Sequence, residues 1–196
     1  MRIESLMGLL LIGGVVLAAN VSGAAESQSL GLQEIAAHTE LVIPAIRDLP
    51  VESAAALVLQ VQAVILASDM PEPQKRARVV SLITYAVVAK GKLAAPMMGL
   101  VAAGTPAGWL AVIAATAVVA AGDSSPSVAK AMVAAVAGDA QAAGTCTAAC
   151  ANPASVLTST DLGVLRGITL PTTSQVPTKA PLLPVYIQEA TKYPGQ

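Results

Sequence analysis

Proline and glycine cut this chain into alanine-rich pieces of helical length. Thr105-Pro106 opens an uncharged run that closes at Gly122, and Ser125-Pro126 opens a second that closes at Gly138. A hydroxyl residue before the helix, Pro at its first position and Gly just past its end are matched start and stop signals. Alanine fills the interval because it loses no side-chain entropy on entering a helix. The two runs share an ending, Val119-Ala120-Ala121-Gly122-Asp123 against Ala135-Val136-Ala137-Gly138-Asp139. This reads as a loose tandem of helical units without a fixed period.

The same pattern extends upstream. Val79, Leu82, Ile83, Ala86 and Val87 recur at helical spacing and define one apolar face. Asp69 and Glu72 have capping-box spacing before it, and Gly91 closes it in a left-handed C-cap. Segment 52–67 is a long apolar helix, and 32–47 is a further helix kinked or broken at Pro44. Short connections between such runs favour antiparallel neighbours. The expected fold is all-α: a compact antiparallel bundle, or a short stack of α-hairpins, of five or six helices within residues 25–143.

Both ends read differently. Met1 and Arg2 supply positive charge, residues 6–19 are uncharged and apolar, and Ser22, Gly23, Ala24 and Ala25 are small. That order predicts a signal peptide over 1–24, a mature start at Ala25 or Glu26, and a periplasmic or secreted protein. From Gly144 to Gln196 the chain is rich in Pro, Thr and Ser and holds no sustained period. It is expected to be irregular or disordered, with 162–170 and 185–193 as short docking segments. Cys146 and Cys150 are the only cysteines. In an exported chain they predict a small disulfide loop, favoured by a non-helical turn because a regular helix aims i and i+4 Cβ atoms poorly for bridging.

Composition narrows the function. The chain has a net charge of −1, and its one basic cluster, Lys75-Arg76-Ala77-Arg78, reads as a solvated helix face. A nucleic-acid binder needs a basic stripe to replace phosphate counterions. His38 is the only histidine, so Cys and His together cannot supply the four ligands of a zinc site. A phosphate loop needs Lys-Ser or Lys-Thr after its glycines, and 99–108 has none. No catalytic, cofactor-binding or metal-binding set is predicted, and neither is a small-molecule substrate.

Hydrophobic residues make up 55% of the chain and aromatics 2%. Segment 93–122 carries no charge across about 30 residues. A helix apolar all round is either buried or in lipid. Its longest unbroken piece, 107–121, would span only ~22 Å of a hydrocarbon layer ~30 Å thick. A central buried helix is expected, with Trp109 as its large anchor. In composition the pair 93–104 and 106–122 also resembles the buried apolar hairpin of pore-forming toxins, which implies insertion into a bilayer. Trp109, Met97 and Met98 are the candidate contact residues for a membrane or a partner. The expected function is a non-catalytic protein-interaction or envelope-associated module. The alternative is a membrane-active or lipid-binding protein.

Overall fold

Most helix ends fall where proline and glycine put them. The computed structural model describes residues 31–168; the expected signal peptide, segment 185–193 and the chain beyond 168 lie outside them. Residues 31–37 form α1. After a 3₁₀ turn at Thr39–Leu41 come α2 (Val42–Ile46), α3 (Val51–Ala67), α4 (Glu72–Lys90) and α5 (Ala94–Gly104). Then follow α6 (Ala107–Ala121), α7 (Ser125–Ala135), α8 (Ala140–Ala151) and α9 (Ser159–Gly167). The described residues contain no strand. The all-α expectation holds, with more helices than the five or six expected.

The surplus has two sources. The break in 32–47 falls at His38, not at Pro44. Pro44 sits in the first turn of α2, where its missing N–H has no intrahelical acceptor to lose. The second source is the C-terminal region. Helix α8 runs straight through Gly144, and α9 follows after the 3₁₀ turn Pro153–Ser155. Residues 144–167 are therefore built into the fold rather than irregular. Cys146, Ala149, Leu157 and Asp161 are all buried there.

Helix α6 is the centre. Leu110 and every residue from Val112 to Ala117 are buried, because α4, α7 and α8 all pack on it. Helix α5 lies mainly against α7 and α3, and α4 touches α2, α3, α6 and α9. Ile46, Ile65, Leu82, Ile83, Met97, Met98, Ile113 and Met132 are among the largest fully buried side chains. Each such aliphatic side chain contributes about 1.5–3 kcal/mol on burial, whereas the alanines between them mainly let helices approach closely.

The approach is closest between α5 and α7. A Cβ on Gly99 would lie 3.2 Å from the Ala131 carbonyl oxygen. That oxygen is main chain and cannot rotate away.

Two turns repeat. Gly91 ends α4 at φ 49°, ψ −115°, and Gly122 ends α6 at φ 52°, ψ −119°. Each leads through a 3₁₀ turn into a helix with proline in its first turn, Pro96 or Pro126. The structural counterpart of Gly122 is thus Gly91, not Gly138 as the shared sequence ending suggests. Gly138 has no positive φ; it lies in the turn before Asp139, whose carboxylate accepts the N–H groups of Gln141 and Ala142 and caps α8. Replacing Gly122 by Ala is expected to lower stability by about 1–3 kcal/mol. The added Cβ meets nothing within 4 Å, so the whole effect is backbone strain, and urea denaturation should show it.

The hydroxyl caps are also reassigned. Pro71 and Pro106 occupy the N-cap positions of α4 and α6, and the Asp69–Glu72 box is not formed. Thr105 Oγ1 instead donates back to the Val101 carbonyl at 2.7 Å, and Ser125 Oγ to the Val118 carbonyl at 2.7 Å. Both hydroxyls close the end of the preceding helix.

Candidate functional site

The basic cluster on the first turns of α4 is a fastening point. A helix C-terminus leaves carbonyls without donors and carries partial negative charge. Lys75 Nζ donates to the Leu66 carbonyl at the end of α3, 2.9 Å away. Arg78 donates to the carbonyls of Ala36 and Ala37 at the end of α1. Arg76 donates through one terminal nitrogen to the Val156 carbonyl at 2.7 Å and through Nε to Asp161 Oδ2 at 2.8 Å. Three cations expected to face solvent thus join α4 to α1, α3 and the segment leading into α9. At its other end α4 repeats the device: Lys90, only 6% exposed, donates to the Leu49 carbonyl at 2.5 Å and reaches that of Arg47.

Asp161 is the buried carboxylate of this group, 1% exposed. It closes a capping box at the start of α9. Its side chain accepts the Thr158 N–H at 2.8 Å, while Thr158 Oγ1 accepts the Asp161 N–H at 3.2 Å. Burial pushes the carboxyl upward, but the Thr158 N–H, the Arg76 guanidinium and the Thr158 hydroxyl outweigh it and hold Asp161 below the ordinary carboxylate range. An open cleft of about 300 Å³ lies over the pair, lined by Glu72, Pro73, Arg76, Thr158, Thr160 and Asp161.

The chemistry available there is limited. An acid held ionised by three donors is a poor proton donor and a weak base. Thr158 already accepts from the backbone. The cleft joins two helices, and its Arg76 and Asp161 are engaged with each other. The expected consequence concerns pH. The lowered Asp161 adds stability in full above the unfolded Asp value of about 3.9. That contribution declines as pH falls below it and is gone beneath the lowered folded value. Thermal melts of wild type and Asp161→Asn should converge below that point and separate above it.

The other sequence candidates are scattered. His38 is exposed beside Glu40, with Nδ1 3.6 Å from its carboxylate, and does not line the Arg76–Asp161 cleft. Met97 and Met98 are wholly enclosed and have no surface to offer a membrane or a partner. Trp109 is half-buried and rests on the core, so it is a smaller anchor than expected.

Cys146 and Cys150 do not form the expected disulfide. They stand one turn apart in regular helix α8 with sulfurs 4.0 Å apart, twice the S–S length of about 2.05 Å. Both are free thiols, Cys146 buried and Cys150 half-buried. The non-helical turn that would have allowed bridging is absent because the helix continues through Gly144.

Among the described residues two buried polar groups lack partners: both amide atoms of Gln62 in α3 and the Thr116 hydroxyl in α6. An orphaned buried amide costs about 1–3 kcal/mol. Gln62→Met, similar in shape and without polar hydrogen-bonding need, is expected to raise stability by about 1–2 kcal/mol, measured as a shift in urea midpoint at unchanged slope.

Among the described residues no three His, Cys, Asp or Glu side chains are grouped to hold a metal ion. Sequence reasoning missed Thr158 and Asp161 although their signal was present: Thr158-Ser159-Thr160-Asp161 has capping-box spacing. Comparison with protein families, with curated proteins and with solved structures finds no match.

Proposed function

We propose that this chain is an exported, non-catalytic helical protein that acts by binding another protein. The observation that carries this reading is an apolar stripe left uncovered on α5. Leu93, at the N-cap of α5, is 53% exposed, and Leu100 is 43% exposed. Seven residues are nearly two helical turns, so the two side chains share a face. Lys75, Arg76, Arg78, Lys90 and Asp161, by contrast, are engaged in fastening helices together. The N-terminal order of charge, apolar run and small residues supports export.

Capture from the envelope fraction of the source, with wild type and with Leu93→Ser/Leu100→Ser, tests the proposal. The variant should keep its helical spectrum and melting curve. A discrete partner held by wild type and lost by the variant supports the reading. Equal capture by both, or none by either, overturns it.

The membrane-active alternative draws on one specific observation. The stretches Glu72–Gly104 and Ala107–Ala135 are long and apolar enough to cross a bilayer by length and composition. Working against it, inserting 93–122 would strip Met97, Met98, Val101, Leu110 and Ile113 from the core they occupy. Flotation of the full mature chain with anionic liposomes separates the two readings: co-flotation favours the bilayer, and a wholly soluble protein removes it.

A further inference from the structure

The two thiols of α8 are arranged for a different task from bridging each other. Residues i and i+4 of a helix project on one face, and here they bring two sulfurs to 4.0 Å. A direct S–S bond would require them to close by about 2 Å, against the poor aim of i and i+4 Cβ atoms in a regular helix. An ion between them requires almost no movement. Two metal–sulfur bonds of about 2.3 Å each, set in line, span roughly 4.6 Å, so a slight rotamer adjustment or a bend at the metal suffices.

The donor set selects the ion. These are the only cysteines in the chain, and His38, the only histidine, lies beside Glu40 outside α8. With no third ligating side chain grouped there among the described residues, a tetrahedral zinc site is not built. Two soft thiolates with no His, Asp or Glu grouped beside them among the described residues suit a soft monovalent cation that accepts linear coordination. We propose that Cys146 and Cys150 are a two-coordinate binding site for copper(I).

The surroundings fit. Cys146 is buried, which shields its sulfur from oxidants and water, while the half-buried Cys150 gives the ion a way in. A hydrogen bond between the two sulfurs eases loss of the first proton and opposes loss of the second. Binding displaces both protons: one copper(I) and two thiols give a bis-thiolate complex of charge −1 and two protons. No electron is transferred. Uptake should consequently weaken as pH falls.

The test uses the full reduced chain under anaerobic conditions, titrated with copper(I) against a chromogenic copper(I) chelator. One equivalent should transfer to the protein, with a near-ultraviolet sulfur-to-copper band and two sulfur scatterers by X-ray absorption. The helical spectrum should not change on loading. Cys150→Ser is half-exposed and should fold, as its melting curve will show; Cys150→Ala is a second version. Both should lose affinity by more than the roughly 10–100-fold cost of an outer-shell defect. Failure to draw copper(I) from the chelator overturns the proposal. So does uptake retained by the Cys150 variants, or a third sulfur scatterer, which is incompatible with two-coordination by this pair.

Discussion

Arg76→Met is expected to lower stability by about 3 kcal/mol. Methionine keeps much of the aliphatic stem but removes the guanidinium. Asp161 is then a buried carboxylate with only Thr158 to satisfy it, and the Val156 carbonyl loses its donor. Removing one partner of a buried pair is strongly destabilising because the other charge stays behind. The lower end of the usual range applies, since the capping box still holds Asp161 and Arg76 itself is 27% exposed. The loss should appear first as local release of α9. Limited proteolysis between Asn152 and Thr158 should accelerate before the global urea midpoint moves far. The double variant Arg76→Met/Asp161→Leu should recover much of the loss, because the orphaned charge leaves with its partner. If the double variant is as unstable as the sum of the two single ones, the pair is not coupled and the joint between α4 and α9 rests on packing alone.

Gly99→Val should lower stability by a comparable amount, about 3 kcal/mol. At this position the neighbour is the Ala131 main chain, 3.2 Å from where a Cβ would sit. A flexible side chain could swing aside, but a carbonyl cannot. Valine adds two methyl groups beyond that Cβ, so α5 and α7 must separate along their contact and the fully buried Met97, Val101, Val128 and Met132 lose packing. Gly144→Ala is the matched control: it lies within α8 with nothing inside 4 Å, and should gain about 0.5–1 kcal/mol from reduced chain entropy. Opposite signs in the two denaturation curves would isolate steric closeness from helix propensity.

The helices were legible where local chemistry decides them. All five residues of the expected α4 face, Val79, Leu82, Ile83, Ala86 and Val87, are buried. The glycines at 91 and 122 stop their helices at positive φ, with ψ of −115° and −119° in place of the left-handed helical value. Segment 144–167 was not legible by composition, because its threonines and serines look like loop material. Thr158 is instead a cap. Pro153 begins a 3₁₀ turn, and Thr147 sits mid-helix with its hydroxyl turned back to the Ala143 carbonyl. The cysteine pairing followed from that error: a loop was needed for a disulfide, and a helix occupies the place. The fastening at Arg76 was unreadable for another reason. Its carboxylate lies 85 positions along the chain, and no local pattern links the two. A run of cations looks the same whether it faces water or the ends of neighbouring helices.

That separation sets an order of assembly. A ribosome delivers the chain from its N-terminus, so when α4 appears, the carbonyls of Ala36, Ala37 and Leu66 are already present for Arg78 and Lys75. Arg76 must wait for α5 through α8 to be made before Asp161 exists. The joint between α4 and α9 is therefore a late latch of high contact order: it forms after the other ties of α4, and a nascent chain that stops short of residue 161 leaves Arg76 without its carboxylate.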